Sequence, residues 1–160
     1  MPALTVLATG KLKEPFWQKA QEEYVKRLGA FCRVSVVELA EERLPEDPSP
    51  AQISAALEKE ARTLRARIPA GAFVCLLTPE GKKLSSEQLA DRIGALRTGG
   101  RSSVVMVLGS SYGLDPTLKK QADLLLSMSD MTFPHHLARI MLLEQLYRAE
   151  TILAGRKYHK

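Results

Sequence analysis

The chain has 160 residues, which fits one domain over residues 1–160 that buries enough surface to fold without a disulfide or a metal. With 23 basic and 18 acidic residues its net charge is +5, an excess that suits a polyanion such as nucleic acid without requiring one. No apolar run approaches the ~20 residues that cross a bilayer, and no signal peptide is visible, so we expect a cytoplasmic protein. Cys32 and Cys75 lie in apolar runs without histidines at ligand spacing, which argues against zinc or a disulfide and favours buried thiols.

In the first half of the chain, short apolar runs alternate with stretches whose apolar residues recur every three or four positions. The short runs are typical of buried strands, and the recurring spacing is typical of helices with one apolar face. Ser49 and Gln52 have the spacing of a capping box, with Pro50 at the first helical position. In chain order the pattern predicts a strand over residues 3–8, a helix over 16–28, a strand over 31–39, a loop over 40–50 and a helix over 53–68.

The second half repeats this alternation. Ser85 and Gln88 again have capping-box spacing, and the helix that they open ends at Gly99 and Gly100. The predicted elements, in chain order, are a strand over residues 72–77, a loop over 78–83, the helix from Ser85, a strand over 103–108, a loop over 109–113, a short helix opened by Asp115-Pro116, a strand over 124–128 and a long helix over 135–153.

Strands separated by helices predict an α/β fold, with a parallel sheet flanked by helices on both faces. The last helix is unusual because apolar residues mark two of its faces. One face is expected to cover the sheet and the other to meet a second subunit, so we expect a homodimer. The first set comprises Leu137, Ile140, Met141 and Tyr147, and the second Leu142, Leu143, Leu146 and Leu153.

Three loops, at residues 76–81, 108–113 and 128–134, follow predicted strands, where ligands bind in open α/β sheets. The middle loop carries Gly109 and Gly113, but its spacing matches neither a dinucleotide fingerprint nor a Walker loop. Taken alone, an ordinary strand-to-helix turn is the simpler explanation. His135 opens the last helix, where the neutral imidazole is expected, and it suits a phosphate or base contact as well as a packing role.

From Arg148 onward the chain is basic, with Glu150 as the single acid. Basic side chains can contact phosphates, and an aromatic ring such as that of Tyr158 can stack on an unstacked base. The same composition fits a solvated, frayed terminus, and on these grounds both interpretations stay open.

Several longer motifs are more specific than any of these features. Near the start they comprise Thr9-Gly10-Lys11-Leu12-Lys13-Glu14-Pro15-Phe16-Trp17 and Tyr24-Val25-Lys26-Arg27-Leu28, and in the middle Leu76 to Lys82 with Ser85-Ser86-Glu87. Near the end they comprise Thr132-Phe133-Pro134-His135, Leu137, Arg139, Glu144-Gln145-Leu146-Tyr147-Arg148-Ala149 and Tyr158-His159-Lys160. Over its whole length the chain resembles the RlmH family of SPOUT-class methyltransferases.

The resemblance implies a single-domain SPOUT fold with a trefoil knot near the C-terminus, a homodimer, and S-adenosyl-L-methionine held by the knot loops. The substrate that it implies is N3 of pseudouridine 1915 in helix 69 of 23S ribosomal RNA, methylated on the assembled 70S ribosome. It implies no metal and no membrane.

Residue roles follow from the resemblance by position. The implied cofactor contacts are Leu76, Gly109, Met128, Ser129, Asp130, Met131, Thr132 and Phe133. The implied catalytic residues are Arg139, Tyr158, His159 and Lys160, and the implied RNA contacts are His135, Arg148, Arg156 and Lys157. Two positions depart from the family pattern: Ser110 stands where a second glycine is usual, and Lys157 where a proline usually precedes the Tyr-His pair.

We hypothesise that the C-terminal residues of one subunit close over the cofactor of the other. Two other functions stay open, namely a transfer RNA methyltransferase of the same fold and a ribosome-associated RNA-binding factor without catalysis, which would bind no S-adenosylmethionine. A nucleotide-dependent oxidoreductase is disfavoured because the dinucleotide fingerprint is missing.

Overall fold

The computed structural model describes residues 1–160, and its five strands form one parallel sheet in the order β2-β1-β4-β3-β5. The strands are β1 (Ala3–Thr9), β2 (Arg33–Leu39), β3 (Phe73–Lys83), β4 (Ser103–Leu108) and β5 (Leu124–Ser127). The helices are α1 (Pro15–Leu28), α2 (Pro50–Ala66), α3 (Ser86–Thr98), α4 (Pro116–Gln121) and α5 (His135–Leu153). The predicted α/β class, a parallel sheet flanked by helices, is confirmed.

Two apolar cores lie on opposite faces of the sheet, because successive strand residues point to opposite sides. In β1, for example, Val6 joins the core beneath α1, α3 and α5, and Leu7 joins the core beneath α2 and α4. Both side chains are completely buried. This arrangement leaves the carboxyl ends of the strands free to carry loops at one edge.

Both predicted capping boxes are present. Ser49 Oγ accepts from the Gln52 N–H at 3.1 Å, and Ser85 Oγ accepts from the Gln88 N–H at 3.0 Å. Each glutamine returns the contact by accepting from the serine N–H at 2.8 Å. The helices α2 and α3 therefore begin where the local sequence predicts.

The segment over residues 78–83, predicted as a loop, belongs instead to β3. Leu126 of β5 pairs with Leu77 and again with Lys82, so residues 78–81 leave the ladder and then return to it. Gly81 permits this excursion, since a Cβ there would lie 2.6 Å from the carbonyl carbon of Leu126. The sequence pattern missed the second pairing because it depends on a strand more than forty residues away. The trefoil knot stays a prediction.

The two apolar faces of α5 find partners mostly within the same chain. Leu142, Leu143 and Leu146 are completely or almost completely buried in the core shared with α1 and α3. Tyr147, on the other face, packs against Tyr24, Phe31 and Tyr158. Leu153, by contrast, is 39% exposed. A two-faced helix is thus explained without a second subunit, and the homodimer stays a prediction.

None of the five helices combines the length and the apolar character that crossing a lipid bilayer requires.

Candidate active site

The excursion within β3 and the loops at the carboxyl ends of β4 and β5 surround a cavity of about 620 Å³. We call it the loop pocket and define it by its lining residues 77–80, 108–113 and 126–135, together with Lys119 of α4 and Ala138 of α5. The position is the one at which open α/β sheets bind ligands, and the size suits a small organic molecule. The three loops singled out in the sequence therefore form one site.

The loop after β4 is folded tightly at its two glycines. A Cβ on Gly109 would lie 2.3 Å from the carbonyl oxygen of Gly113, so no other residue fits there without moving the loop. Gly113 has a φ of +91°, in the region that glycine adopts most readily. Its N–H donates to the carbonyl of Ser110 at 2.9 Å and closes the turn. This tight turn forms one wall of the loop pocket.

Ser110, the first departure from the family pattern, links this loop to α2. Its hydroxyl donates to Glu60 Oε1 at 3.0 Å, and the other oxygen of Glu60 accepts from the Glu42 N–H at 2.9 Å. Burial raises the pKa of Glu60, because its charged form loses solvent. Ser110 and Glu60 are both more than nine-tenths buried. The serine thus fixes the pocket loop to the underlying layer.

Ion pairs connect the walls of the loop pocket. Lys119 Nζ lies 2.5 Å from Glu80 Oε1 and joins α4 to the excursion within β3. The hydrogen bond from Lys119 lowers the pKa of Glu80. Lys83 Nζ lies 2.6 Å from Asp130 Oδ2 and joins β3 to the loop that precedes α5. Both pairs are partly exposed, so they orient the rim more than they stabilise the fold.

The loop between β5 and α5 is held by its own serines. Ser127 Oγ donates to the carbonyl of Ser129, and Ser129 Oγ accepts from the Met131 N–H, both at 3.0 Å. Met131 projects outward with 74% of its surface exposed. His135, at the end of the loop, has a pKa lowered first by burial and then by the charge of His136. The direction of this shift agrees with the neutral imidazole that we expected at the helix start, and burial is its main cause.

Most of the implied cofactor residues line the loop pocket. Those that do are Gly109, Met128, Ser129, Asp130, Met131, Thr132 and Phe133, together with the implied RNA contact His135. Leu76 does not line it, since its side chain is completely buried in the core with α2 and α4. The alternation of the strand turns the next residue, Leu77, toward the pocket instead.

Arg139 lies in the interior, with 2% of its surface exposed. Its guanidinium donates to Glu38 at 2.6 Å, to the carbonyl of Gly10 at 3.1 Å and to Gln21 at 3.3 Å. Burial would raise the pKa of Glu38, but the bonds from Arg139 and the Leu12 N–H outweigh it and hold that pKa below its usual value. In this chain Arg139 joins α5 to the end of β1; its implied contact with the reacting atoms stays a prediction.

The C-terminal residues 158–160, which we call the tail, dock on α5 of their own chain. The Tyr158 ring lies 4.7 Å from the Tyr147 ring, and its hydroxyl donates to Glu144 at 3.1 Å. His159 contacts Glu87 of α3 at 2.7 Å and Arg148 at 3.1 Å through its two ring nitrogens. No tail residue lines the loop pocket of the same chain. The structure therefore separates the implied catalytic tail from the implied cofactor site.

The remaining implied RNA contacts surround the tail. Arg148 lies 2.5 Å from Glu144, and its guanidinium lies 4.9 Å from the centre of the Tyr158 ring. Arg156 lies 4.9 Å from the Phe31 ring. Lys157, the second departure from the family pattern, is exposed, as is Lys160. These cations form a second candidate region, distinct from the loop pocket.

Sequence reasoning missed Glu60 and Thr78. Glu60 lies three residues after Leu57 and four before Leu64 on the predicted apolar stripe, and a carboxylate at such a position indicates a specific buried partner. Thr78 lies in the pocket wall directly after Leu77. Its burial depends on the excursion of β3, for which the sequence carries no local signal.

A parallel α/β sheet with small-residue loops gathered into a pocket behind its last strands is an arrangement that suits a group-transfer enzyme. Residues 3–159 match the family model described as "Predicted SPOUT methyltransferase". The chain therefore belongs to the SPOUT methyltransferase family, as the resemblance implied, and it is a methyltransferase.

A curated relative is similar over nearly the whole chain. The chain is 46% identical, over 157 residues, to the ribosomal RNA large subunit methyltransferase H of Bifidobacterium adolescentis. The alignment covers 98% of this chain and 99% of the relative. At this identity and coverage the two chains share their family and their length.

Proposed function

We propose that this protein transfers a methyl group from S-adenosyl-L-methionine to N3 of pseudouridine 1915 in helix 69 of 23S ribosomal RNA. We further propose that it acts on the assembled 70S ribosome, as a homodimer in the cytoplasm and without a metal. The observation that carries the proposal is the loop pocket, formed by the excursion within β3 and the loops at the carboxyl ends of β4 and β5 of a SPOUT methyltransferase chain. The printed name of the relative, a large-subunit ribosomal RNA methyltransferase, supports the substrate.

The loop pocket fits such a methyl donor in size and chemistry. Its volume of about 620 Å³ suits a nucleoside-sized molecule. Gly109 lets the loop after β4 fold tightly against itself at the pocket wall, because a Cβ there would lie 2.3 Å from the Gly113 carbonyl oxygen. When bound, S-adenosylmethionine supplies a methyl group activated by its sulfonium. The loops over residues 109–113 and 128–133 would hold it.

The chain's own residues would then act mainly by positioning. Methyl transfer is an in-line displacement, and holding the partners in line can supply roughly 7–11 kcal/mol. Gly109 and Gly113 fix one side of the pocket, and the serine-braced loop before α5 fixes the other. His135, neutral at pH 7, can accept a hydrogen bond at the wall of the pocket.

The tail would serve a different task. The N3 proton of the base would pass to solvent water, and donors from His159 and Lys160 would stabilise the negative charge that then develops on the ring carbonyl oxygens. Because the tail lies away from the loop pocket of its own chain, we propose that it completes the site of the partner subunit. Arg148, Arg156 and Lys157 beside it would contact phosphates.

Transfer of tritiated methyl groups to whole 70S ribosomes, isolated subunits and transfer RNA tests the substrate. The proposal predicts label on 23S ribosomal RNA, strongest with 70S ribosomes and lost when the target pseudouridine is absent. Label confined to transfer RNA would establish the alternative enzyme. Calorimetry with S-adenosylmethionine provides the second arm, since a non-catalytic binding factor would show no heat of binding.

A further inference from the structure

The loop pocket contains a buried hydroxyl that has no partner in the protein. Thr78 is 5% exposed, and its Oγ1 is buried with no hydrogen bond to any protein atom. Buried polar groups almost always have a partner, because leaving one unpaired destabilises the fold. Thr78 also belongs to the wall of the loop pocket. The unpaired hydroxyl makes Thr78 the pocket residue to test for a contact with a bound molecule.

The surroundings of Thr78 show which part of a ligand suits this place. Leu77, Leu108 and Leu126 line the same pocket, and the last two are more than nine-tenths buried. The charged lining residues are more open: the side chains of Glu80 and Asp130 are 52% and 85% exposed. The loop pocket thus has an apolar inner wall and a charged rim.

This polarity orients a ligand that has one charged and one neutral end. Burying a charge without a partner costs far more than burying a neutral polar group. The charged amino-acid end of the methyl donor therefore belongs at the rim. Its neutral nucleoside belongs against the apolar wall, where a hydroxyl can either donate to it or accept from it.

We propose that Thr78 Oγ1 forms a hydrogen bond with the nucleoside of the bound methyl donor and so helps to select a nucleoside for this pocket. The inference rests on the proposed function, because it takes S-adenosylmethionine as the ligand. It adds a residue that neither the sequence motifs nor the family resemblance assigned.

Thr9 offers a matched control within the same molecule. It too is a strand threonine, 3% exposed, whose buried Oγ1 has no partner. It follows Ala8 at the end of β1 and does not line the loop pocket. The two residues share their chemistry and burial and differ in access to the ligand.

The experiment uses the full-length variants Thr78→Val, Thr78→Ser and Thr9→Val. Valine keeps the shape of threonine and removes the hydroxyl, and serine keeps the hydroxyl. Calorimetry measures the affinity of each for S-adenosylmethionine, S-adenosylhomocysteine and adenosine, and urea unfolding without ligand measures stability. For Thr78→Val we expect all three affinities to fall about tenfold, the loss of one hydrogen bond. Unfolding should be unchanged or slightly harder, because no bond is lost in the free protein.

The controls separate this role from a structural one. Thr78→Ser should retain binding to within about threefold, and Thr9→Val should bind all three ligands like the wild type. Wild-type affinities in Thr78→Val would overturn the inference and leave the proposed function intact. A loss for S-adenosylmethionine without a loss for adenosine would overturn the nucleoside assignment. If the wild type bound none of the three, the proposed function would fail together with this inference.

Discussion

The loop pocket and the tail are both implied parts of one catalytic site, yet they are built in opposite ways. The loop pocket is shaped by tightly turned loops: Gly109, Gly113 and the serine-braced loop before α5 form part of its walls. The tail is held by side chains, with Tyr158 on Tyr147 and His159 between Glu87 and Arg148. The sheet brings the loops together, whereas the tail depends on contacts made far from them.

This difference suggests a division of labour. A pocket shaped by tight, hydrogen-bonded loops suits the donor, which must be held in line for transfer. A segment held by partly exposed polar contacts can detach from α5 and α3 with a small loss of free energy. This property suits a segment that closes over a large RNA.

Removing the tail should produce the largest loss. A chain that ends at Lys157 lacks the donors of His159 and Lys160, and we expect methyl transfer to fall by at least about 100-fold, as when an oxyanion donor is removed. Affinity for S-adenosylmethionine should stay within about twofold of wild type, because the proposed contacts of the tail are with the RNA base and not with the donor.

Tyr158→Phe is the control for this deletion. It keeps the ring against Tyr147 and removes only the hydrogen bond to Glu144, so transfer should fall less than about tenfold. If the deletion weakened cofactor binding as much as it slowed transfer, the tail and the pocket would not be separate regions.

Gly109→Ala should damage the loop pocket. The new Cβ would lie 2.3 Å from the Gly113 carbonyl oxygen, so the loop after β4 must shift and the pocket wall must change shape. Positioning errors of about 1 Å can cost about 100-fold in rate, and we expect losses of this order in transfer, with weaker cofactor binding measured by calorimetry. Gly99→Ala, where the nearest atom is 3.4 Å away and φ is negative, should leave both unchanged. Normal cofactor binding in Gly109→Ala would contradict the proposal that the tight turn at Gly109 shapes the pocket.

Glu38→Gln tests whether Arg139 stabilises the fold through its ion pair with Glu38. Breaking a buried ion pair costs about 3–5 kcal/mol, and because Glu38 is partly exposed we expect a value near the lower limit in urea unfolding. The folded state holds the pKa of Glu38 below 4.5, so this stabilisation is present above that pH and is lost as the pH falls through the lowered pKa. The difference in the free energy of unfolding between wild type and Glu38→Gln should therefore become smaller at acidic pH.

Glu23→Gln is the matched control for that pair. Glu23 and Arg27 form an exposed ion pair at 2.8 Å, and such pairs contribute little. Arg139 is expected to act by joining α5 to the end of β1. Unchanged stability in Glu38→Gln together with slower methyl transfer would contradict this role.

Ser110→Ala should give the smallest effect. It removes the hydrogen bond to Glu60, and we expect a loss of about 1 kcal/mol in stability and a reduction of about threefold in cofactor affinity. Ser102, an exposed serine outside the loop pocket, provides the control variant Ser102→Ala, which should bind like wild type. Equal effects from the two substitutions would show that Ser110 does not brace the loop through Glu60.

Local sequence signals predicted the elements and much of the site. Capping boxes at Ser49 and Ser85 located two helix starts, and apolar spacing located all five strands. Loops that follow parallel strands meet at one edge of the sheet, so the loop pocket was predictable as a region. Gly109 was marked by its type, since only glycine tolerates such close backbone contact.

Long-range contacts carried no comparable signal. The partner of Arg139 is Glu38, about a hundred residues earlier in the chain, and nothing near either residue indicates the pairing. The second ladder of β3 with β5 depends on the excursion at Gly81. Likewise, the apolar face of α5 that suggested a partner subunit is partly covered by Tyr24, Phe31 and Tyr158 of the same chain. Periodicity detects an apolar face, but it does not identify what covers it.

Mixed dimers test the central claim, a site shared between two subunits, most directly. A chain without the tail is mixed with Gly109→Ala chains, each inactive alone, and methyl transfer to 70S ribosomes is measured after subunit exchange. In a mixed dimer the intact pocket of one subunit would meet the intact tail of the other, so we predict recovery of about a quarter of wild-type activity with random twofold assortment. If verified mixed dimers stay inactive, each tail serves its own pocket and the account is wrong.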